Sequence, residues 1–188
     1  MTLTARYLSK RRTIIFEQSG DHGKAVAIQG DVSKGADVKR LFAESKKAFG
    51  DLNILGNNAG IFQLHPIETV TEEEFHRQFN TNVLGTLLGT REAVQYFGTR
   101  GGNVINVSSV VSENPVPGSA IYAATKGTHA IGMIGGDFEK QIVAGTPLGR
   151  IGQPQDIAKV AVFLASEESS WLIGERISAS GGFRSLTT

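Results

Sequence analysis

Residues 103–126 read Asn103-Val-Ile-Asn106-Val-Ser-Ser109-Val-Val-Ser-Glu-Asn-Pro115-Val-Pro117-Gly-Ser-Ala-Ile121-Tyr122-Ala-Ala-Thr-Lys126. Residues 103–107, Asn-Val-Ile-Asn-Val, predict a strand. Residues 121–131 predict a helix. Ser109 stands just past the strand's C-terminal end, where open α/β sheets place their sites. Tyr122 and Lys126 are spaced i and i+4, which puts both on one helix face. An ammonium beside a phenol favours the phenolate and lowers a pKa that is ordinarily about 10. Such a tyrosine can exchange a proton with an alcohol or carbonyl oxygen near neutral pH. Alone, a Tyr-x-x-x-Lys pair is most often a solvated helix face, so the surrounding pattern has to carry the argument.

Outward from this stretch, strand and helix signals alternate. Residues 2–5 predict a short strand and residues 7–18 a basic helix. Residues 25–29, Ala-Val-Ala-Ile-Gln, predict a buried strand ending at Gly30-Asp31. Residues 36–49 carry Val38, Leu41, Phe42, Ser45 and Phe49 near helical spacing and stop at Gly50. Residues 52–55 predict a strand leading into Asn57-Asn58-Ala59-Gly60. Thr71 with Glu74 forms a capping-box pattern that opens one long helix to about Phe97. Pro154 opens a helix to about Ser166, and residues 176–179 predict a last strand. The alternation means βαβ units, hence an α/β fold with a doubly wound parallel sheet. No internal repeat or linker interrupts residues 1–188, which are assigned to a single domain.

Composition narrows the function. Of 188 residues, 40% are hydrophobic and 20% charged, an ordinary globular balance. The absence of cysteine excludes a disulfide scaffold and thiolate chemistry. Nineteen basic against eighteen acidic residues leave a net charge near +1, so no large field steers the chain to nucleic acid. The longest uncharged stretch, residues 52–67, contains three asparagines, a glutamine and a histidine and is no membrane span. Arg6, Lys10, Arg11 and Arg12 give a faint transit-peptide pattern, against which stands the plainer reading of a strand and a basic helix. No secretory h-region follows Met1, and a cytoplasmic location is expected. His22, His65, His76 and His129 lack metal-ligand spacing, so no metal is expected.

The ordered motifs resemble the short-chain dehydrogenase/reductase family, near its 3-oxoacyl reductase and glucose dehydrogenase members. They are Gly30-Asp31-Val32, Asn57-Asn58-Ala59-Gly60, Asn80-Thr-Asn82-Val, Asn106-Val-Ser-Ser109, Tyr122-x-x-x-Lys126 and Pro147-Leu-Gly-Arg-Ile-Gly-Gln-Pro154. The tail from Phe163-Leu-Ala-Ser166 to Gly181-Gly182 is similar as well.

The resemblance implies a Rossmann-like sheet and an oxidoreductase that interconverts an alcohol and a ketone. Tyr122 would be the general acid/base. Lys126 would hold the nicotinamide ribose, Ser109 would orient the carbonyl, and Asn82 would hold a water in a proton relay. Asp31 and Val32 would flank the adenine, while Asn58, Ala59 and Gly60 would line the cofactor cleft. Each has a plainer alternative: Asn58 and Gly60 as turn residues, Asn82 as a helix kink, and Ser108 as the active serine in place of Ser109. Arg6, with Ser9 and Lys10, resembles a reader of the 2′-phosphate. This favours NADP(H), with NAD(H) as the alternative. The partners implied are a small carbonyl or alcohol substrate and further copies of the chain in a dimer or tetramer, with Trp171 and Phe183 in those contacts or in the core. Nucleic acid and membrane are not expected.

Two departures qualify the resemblance. No two of the 23 glycines lie at i and i+2, so neither Gly-x-x-x-Gly-x-Gly nor Gly-x-Gly-x-x-Gly occurs. The helix N-terminus that normally receives a pyrophosphate is therefore not announced. The segment after Lys126 runs directly into residues 128–136, which resemble the substrate loop, as if about forty residues were excised against a domain of roughly 250. The sheet is thus expected to be incomplete, lacking the family's first strand and one late strand. Its strands would close up, partner chains would fill the gap, or the sequence omits residues present in the molecule. A second reading follows: a catalytically incompetent remnant that acts as a folded oligomer or interaction protein.

Overall fold

The computed structural model describes residues 2–8, 11–17, 25–112, 116–126 and 143–183, with residues 2–8, 11–17 and 25 described as backbone. Five strands form one sheet: β1 (Thr2–Leu8), β2 (Arg11–Glu17), β3 (Ala25–Gln29), β4 (Ile54–Asn57) and β5 (Asn103–Asn106). Their order is β3-β2-β1-β4-β5. The α/β class holds, and β1, β4 and β5 run parallel. The sheet closes up, because β1 pairs directly with β4 from Thr2↔Ile54 to Thr4↔Gly56.

The other half of the sheet departs from expectation. Residues 7–18 were expected as a helix, but β1 and β2 pair antiparallel from Thr2↔Glu17 to Leu8↔Arg11, and β2 pairs antiparallel with β3. Thr13-Ile-Ile-Phe16 is β-branched and aromatic, and pairing on both sides favours the strand such residues prefer. The expected strand at residues 176–179 does not form. Among the described residues no strand lies on the outer edge of β5 to pair with it, and an unpaired strand leaves its backbone groups without partners.

Helix α1 (Gly35–Phe49) lies one turn after β3. That turn is built by acids: Asp31 Oδ1 accepts from Ser33 N (3.0 Å) and Ser33 Oγ (2.6 Å), and Asp37 Oδ2 accepts from Asp31 N (2.8 Å). Val38, Leu41, Phe42 and Ser45 form the buried face of α1. Gly50 ends the helix at φ 79°, a conformation that favours glycine.

The expected long helix from residue 71 to 97 is three pieces: α2 (Glu72–Phe79), a π-helical turn (Asn80–Leu84) and α3 (Gly85–Phe97). Thr71 caps α2 as its motif implied, its hydroxyl accepting from Glu74 N at 3.2 Å. A π turn rotates the residues after it relative to an α-helix and is frequent at functional sites. Here it carries Asn82 into the interior, 1% exposed.

Ala93 and Phe97 of α3 join Ile28, Val38, Leu41, Phe42, Leu52 and Leu55 in the core. Burying each large apolar side chain contributes about 1.5–3 kcal/mol. Helix α4 (Ala120–Lys126) follows β5 and carries Tyr122. Helix α5 (Pro154–Leu164) starts with Pro154 at its first position and a Gln153–Asp156 capping box. Arg150 clamps Asp156 through both carboxylate oxygens at 2.6 and 3.0 Å. None of its residues is buried. Trp171 is 96% exposed, which removes its core alternative.

Candidate active site

The short helix α4 brings Tyr122, Thr125 and Lys126 to one buried face, with Tyr122 and Thr125 fully buried and Lys126 2% exposed. The edge of the Phe62 ring meets the Tyr122 ring at 4.6 Å and 83°. Lys126 Nζ lies 5.9 Å from the centre of the Tyr122 ring. Burial alone pushes the Lys126 amine down to about 7, since taking an ammonium out of water disfavours the charged form. Near neutral pH the amine is therefore divided between its two forms.

Asn82 reaches α4 from the π turn. Its Nδ2 donates to Ile61 O (2.9 Å) and to Thr125 Oγ1 (2.9 Å), and its Oδ1 accepts from Ile61 N (2.8 Å). Thr125 Oγ1 donates to the Tyr122 carbonyl at 2.8 Å. Gly60 lies against the same group: a Cβ there would sit 3.2 Å from Lys126 Nζ and 3.5 Å from Asn82 Oδ1. The space in front of the amine is thus kept open by the lack of a side chain.

Ser109 lies after β5, beside the turn Val110–Ser112. Its Oγ accepts from Val111 N at 3.1 Å and keeps its own proton to donate. Ser108, the competing serine, donates to the Lys126 carbonyl at 3.3 Å. Its hydroxyl is turned to the C-terminal end of α4.

The expected cofactor residues divide. Val32 and Ala59 line a small, largely apolar cavity of about 30 Å3, together with the core residues Val38, Leu41 and Leu55 and with Gly85 and Thr86. A Cβ at Gly85 would meet Val32 Cγ2 at 2.8 Å, so Gly85 and Val32 approach closely. Asp31 commits its Oδ1 to the turn at Ser33. Asn58 N donates to Gly56 O at 3.1 Å, bending the chain out of β4. Arg6 was expected at a strand end but falls inside β1, opposite Thr13. Its side chain lies outside the described residues, as do Ser9, Lys10, Pro115 and residues 128–136.

A nicotinamide dinucleotide fits these residues at two places. The half-buried Val32 and Ala59 offer apolar surface to a flat base, and the glycine-cleared amine of Lys126 offers a donor to sugar hydroxyls. The pyrophosphate has no glycine-rich turn anywhere in the sequence.

Sequence reasoning passed over Phe62, Ile61 and Thr125. Thr125 had a signal, since its place three residues after Tyr122 sets it on the same helix face.

Comparison with known proteins agrees with the fold. The chain matches the short chain dehydrogenase family over residues 1–134 and the enoyl-(acyl carrier protein) reductase family over residues 127–184. It is 41% identical to an uncharacterized oxidoreductase of Methylorubrum extorquens over 194 residues, covering 86% of this chain and 78% of that protein. A hydroxynaphthalene reductase-like protein of Metarhizium brunneum is 30% identical, with 90% of this chain and 79% of that protein covered. Among solved structures, a Serratia marcescens short-chain dehydrogenase/reductase mutant superposes with a TM-score of 0.75 at 22% identity, covering 84% of this chain and 76% of that one. A gluconate 5-dehydrogenase from Burkholderia cenocepacia, in complex with NADP and tartrate, does so with 0.74 at 27% identity, covering 81% and 72%. The class is a Rossmann-like α/β oxidoreductase. The chain belongs to the short-chain dehydrogenase/reductase family.

Proposed function

We propose that the chain is an NADP(H)-linked oxidoreductase that interconverts an alcohol and a ketone. The observation that carries this is the buried Tyr122–Lys126 face of α4, fastened to Asn82. In the reducing direction the Tyr122 phenol gives its proton to the substrate oxygen, and in the oxidising direction the phenolate takes it. Lys126 holds the ribose hydroxyls and, when protonated, favours the phenolate. Ser109 orients the carbonyl with its free hydroxyl hydrogen. Val32, Ala59 and Gly60 shape the cofactor cleft, with Asp31 and Asn58 setting the turns that present them. A bound nicotinamide supplies or accepts the hydride at the carbonyl carbon.

Asn82 was expected to hold a relay water. Both hydrogens of its Nδ2 are engaged, and Oδ1 already accepts one bond. A water at the Asn82 side chain therefore has only the second Oδ1 lone pair. The choice of NADP(H) over NAD(H) is supported by likeness to the NADP-bound gluconate 5-dehydrogenase. A small-molecule carbonyl or alcohol substrate, a homo-oligomeric assembly and a cytoplasmic location belong to the same proposal. No helix among the described residues is long and apolar enough to cross a membrane.

The test is NADPH consumption with a panel of ketones and aldehydes, for the wild type and Tyr122→Phe. Loss of the proton donor lowers turnover by about 100-fold or more. Equal rates for the two proteins would refute the assignment of Tyr122.

A further inference from the structure

Thr125 is fully buried, three residues after Tyr122 and one before Lys126. A threonine in a helix commonly donates back to a carbonyl of its own turn, as Thr125 does to Tyr122 O. Its oxygen does a second thing: it accepts from Asn82 Nδ2 at 2.9 Å. The hydrogen bonds then run without a break from Ile61 through Asn82 and Thr125 to the backbone of Tyr122. Three segments meet in this chain: the residues after β4, the π turn and α4.

We propose that Thr125 is a positioning residue for proton transfer, its hydroxyl fixing the placement of α4 against the π turn. This rests on the oxidoreductase reading above. Valine has the shape of threonine without the hydroxyl. It would leave an Asn82 Nδ2 hydrogen unpaired in a buried site and release the hold on the Tyr122 carbonyl, whereas serine keeps both bonds. The phenol and the amine share one helical turn, so a shift of α4 moves both against the substrate oxygen. A misplacement of about 1 Å can cost about 100-fold in rate.

The experiment compares the wild type with Thr125→Val and Thr125→Ser. In the valine variant kcat falls by about 10- to 100-fold while the KM for NADPH changes by less than about 3-fold, because positioning and not cofactor binding is lost. The serine variant recovers most of kcat. The second readout is solvent exchange of the Asn82 side-chain amide, followed by NMR without cofactor. It is slow in the wild type and the serine variant and at least about tenfold faster in the valine variant, because an unpaired amide hydrogen exchanges once the local structure opens.

A valine variant that keeps both kcat and amide protection overturns the proposal, as does a serine variant as impaired as valine. If the wild type turns over no carbonyl substrate, the oxidoreductase reading fails by itself. The amide exchange then decides alone whether Thr125 holds Asn82.

Discussion

Replacing Lys126 by methionine isolates the cost of burying an amine beside Tyr122. Methionine fills similar space and carries no charge. In the wild type the amine is pushed from an ordinary value of 10.5 down to about 7, with burial as the cause. Between those values the unfolded chain holds a proton on Lys126 that the folded chain does not. Stability therefore rises with pH in that window, by up to about 1.4 kcal/mol per unit for one group. Between pH 7 and 9 the gain from Lys126 is about 2 kcal/mol, the slope being reduced near 7 where the folded protein is half protonated. Below about 7 both states hold the proton and the contribution levels off at its least favourable value. Urea unfolding at pH 7, 8 and 9 measures this, and subtracting the Lys126→Met curve cancels the histidines and the N-terminus. The wild type gains about 2 kcal/mol relative to the variant across this range. Parallel curves for the two proteins would mean that Lys126 is solvated in the folded protein, and the buried-amine argument would be wrong.

Three substitutions test the packing around the site. Gly85→Ala places a methyl 2.8 Å from Val32 Cγ2 and 3.3 Å from the Val32 carbonyl oxygen. It destabilises by about 1–3 kcal/mol in urea titration, in the range of overpacked interiors. Asn82→Ala leaves the Ile61 N–H and C=O without their side-chain partner and lowers stability by at least about 1–3 kcal/mol, the cost of one buried unsatisfied group. Thr71→Ala removes the cap of α2 and costs about 1 kcal/mol, read as a shift in the urea midpoint with unchanged slope.

Much of the fold was legible where local chemistry and tertiary packing agree. The Val38-Leu41-Phe42-Ser45 spacing announced α1 to within a residue, and Gly50 its end. Thr71 and Glu74 announced the start of α2. What was not legible depends on partners remote in sequence. Residues 11–17 form a strand because β1 and β3 pair on either side. Residues 176–179 have strand composition, but no described strand lies on the outer edge of β5 to pair with them. The π turn at Asn80–Leu84 lies within a continuous helical pattern, and the buried bonds of Asn82 to Ile61 and Thr125 accompany it.

The candidate site followed the same division. Tyr122 and Lys126 were legible from i, i+4 spacing, and Asn82 from its motif. That Asn82 would spend both amide hydrogens on the scaffold, and that Thr125 would join it to Tyr122, required knowing which elements pack together.

The most direct test of the central claim is a fluorescence titration of the purified chain with NADPH, repeated with NADH. The account predicts saturable binding of NADPH in the micromolar range, weaker binding of NADH, and marked weakening of NADPH binding by Lys126→Met. A folded wild-type chain that shows no saturable binding of either nucleotide would contradict it. The buried Tyr122–Lys126 face would then belong to a scaffold that no longer holds its cofactor.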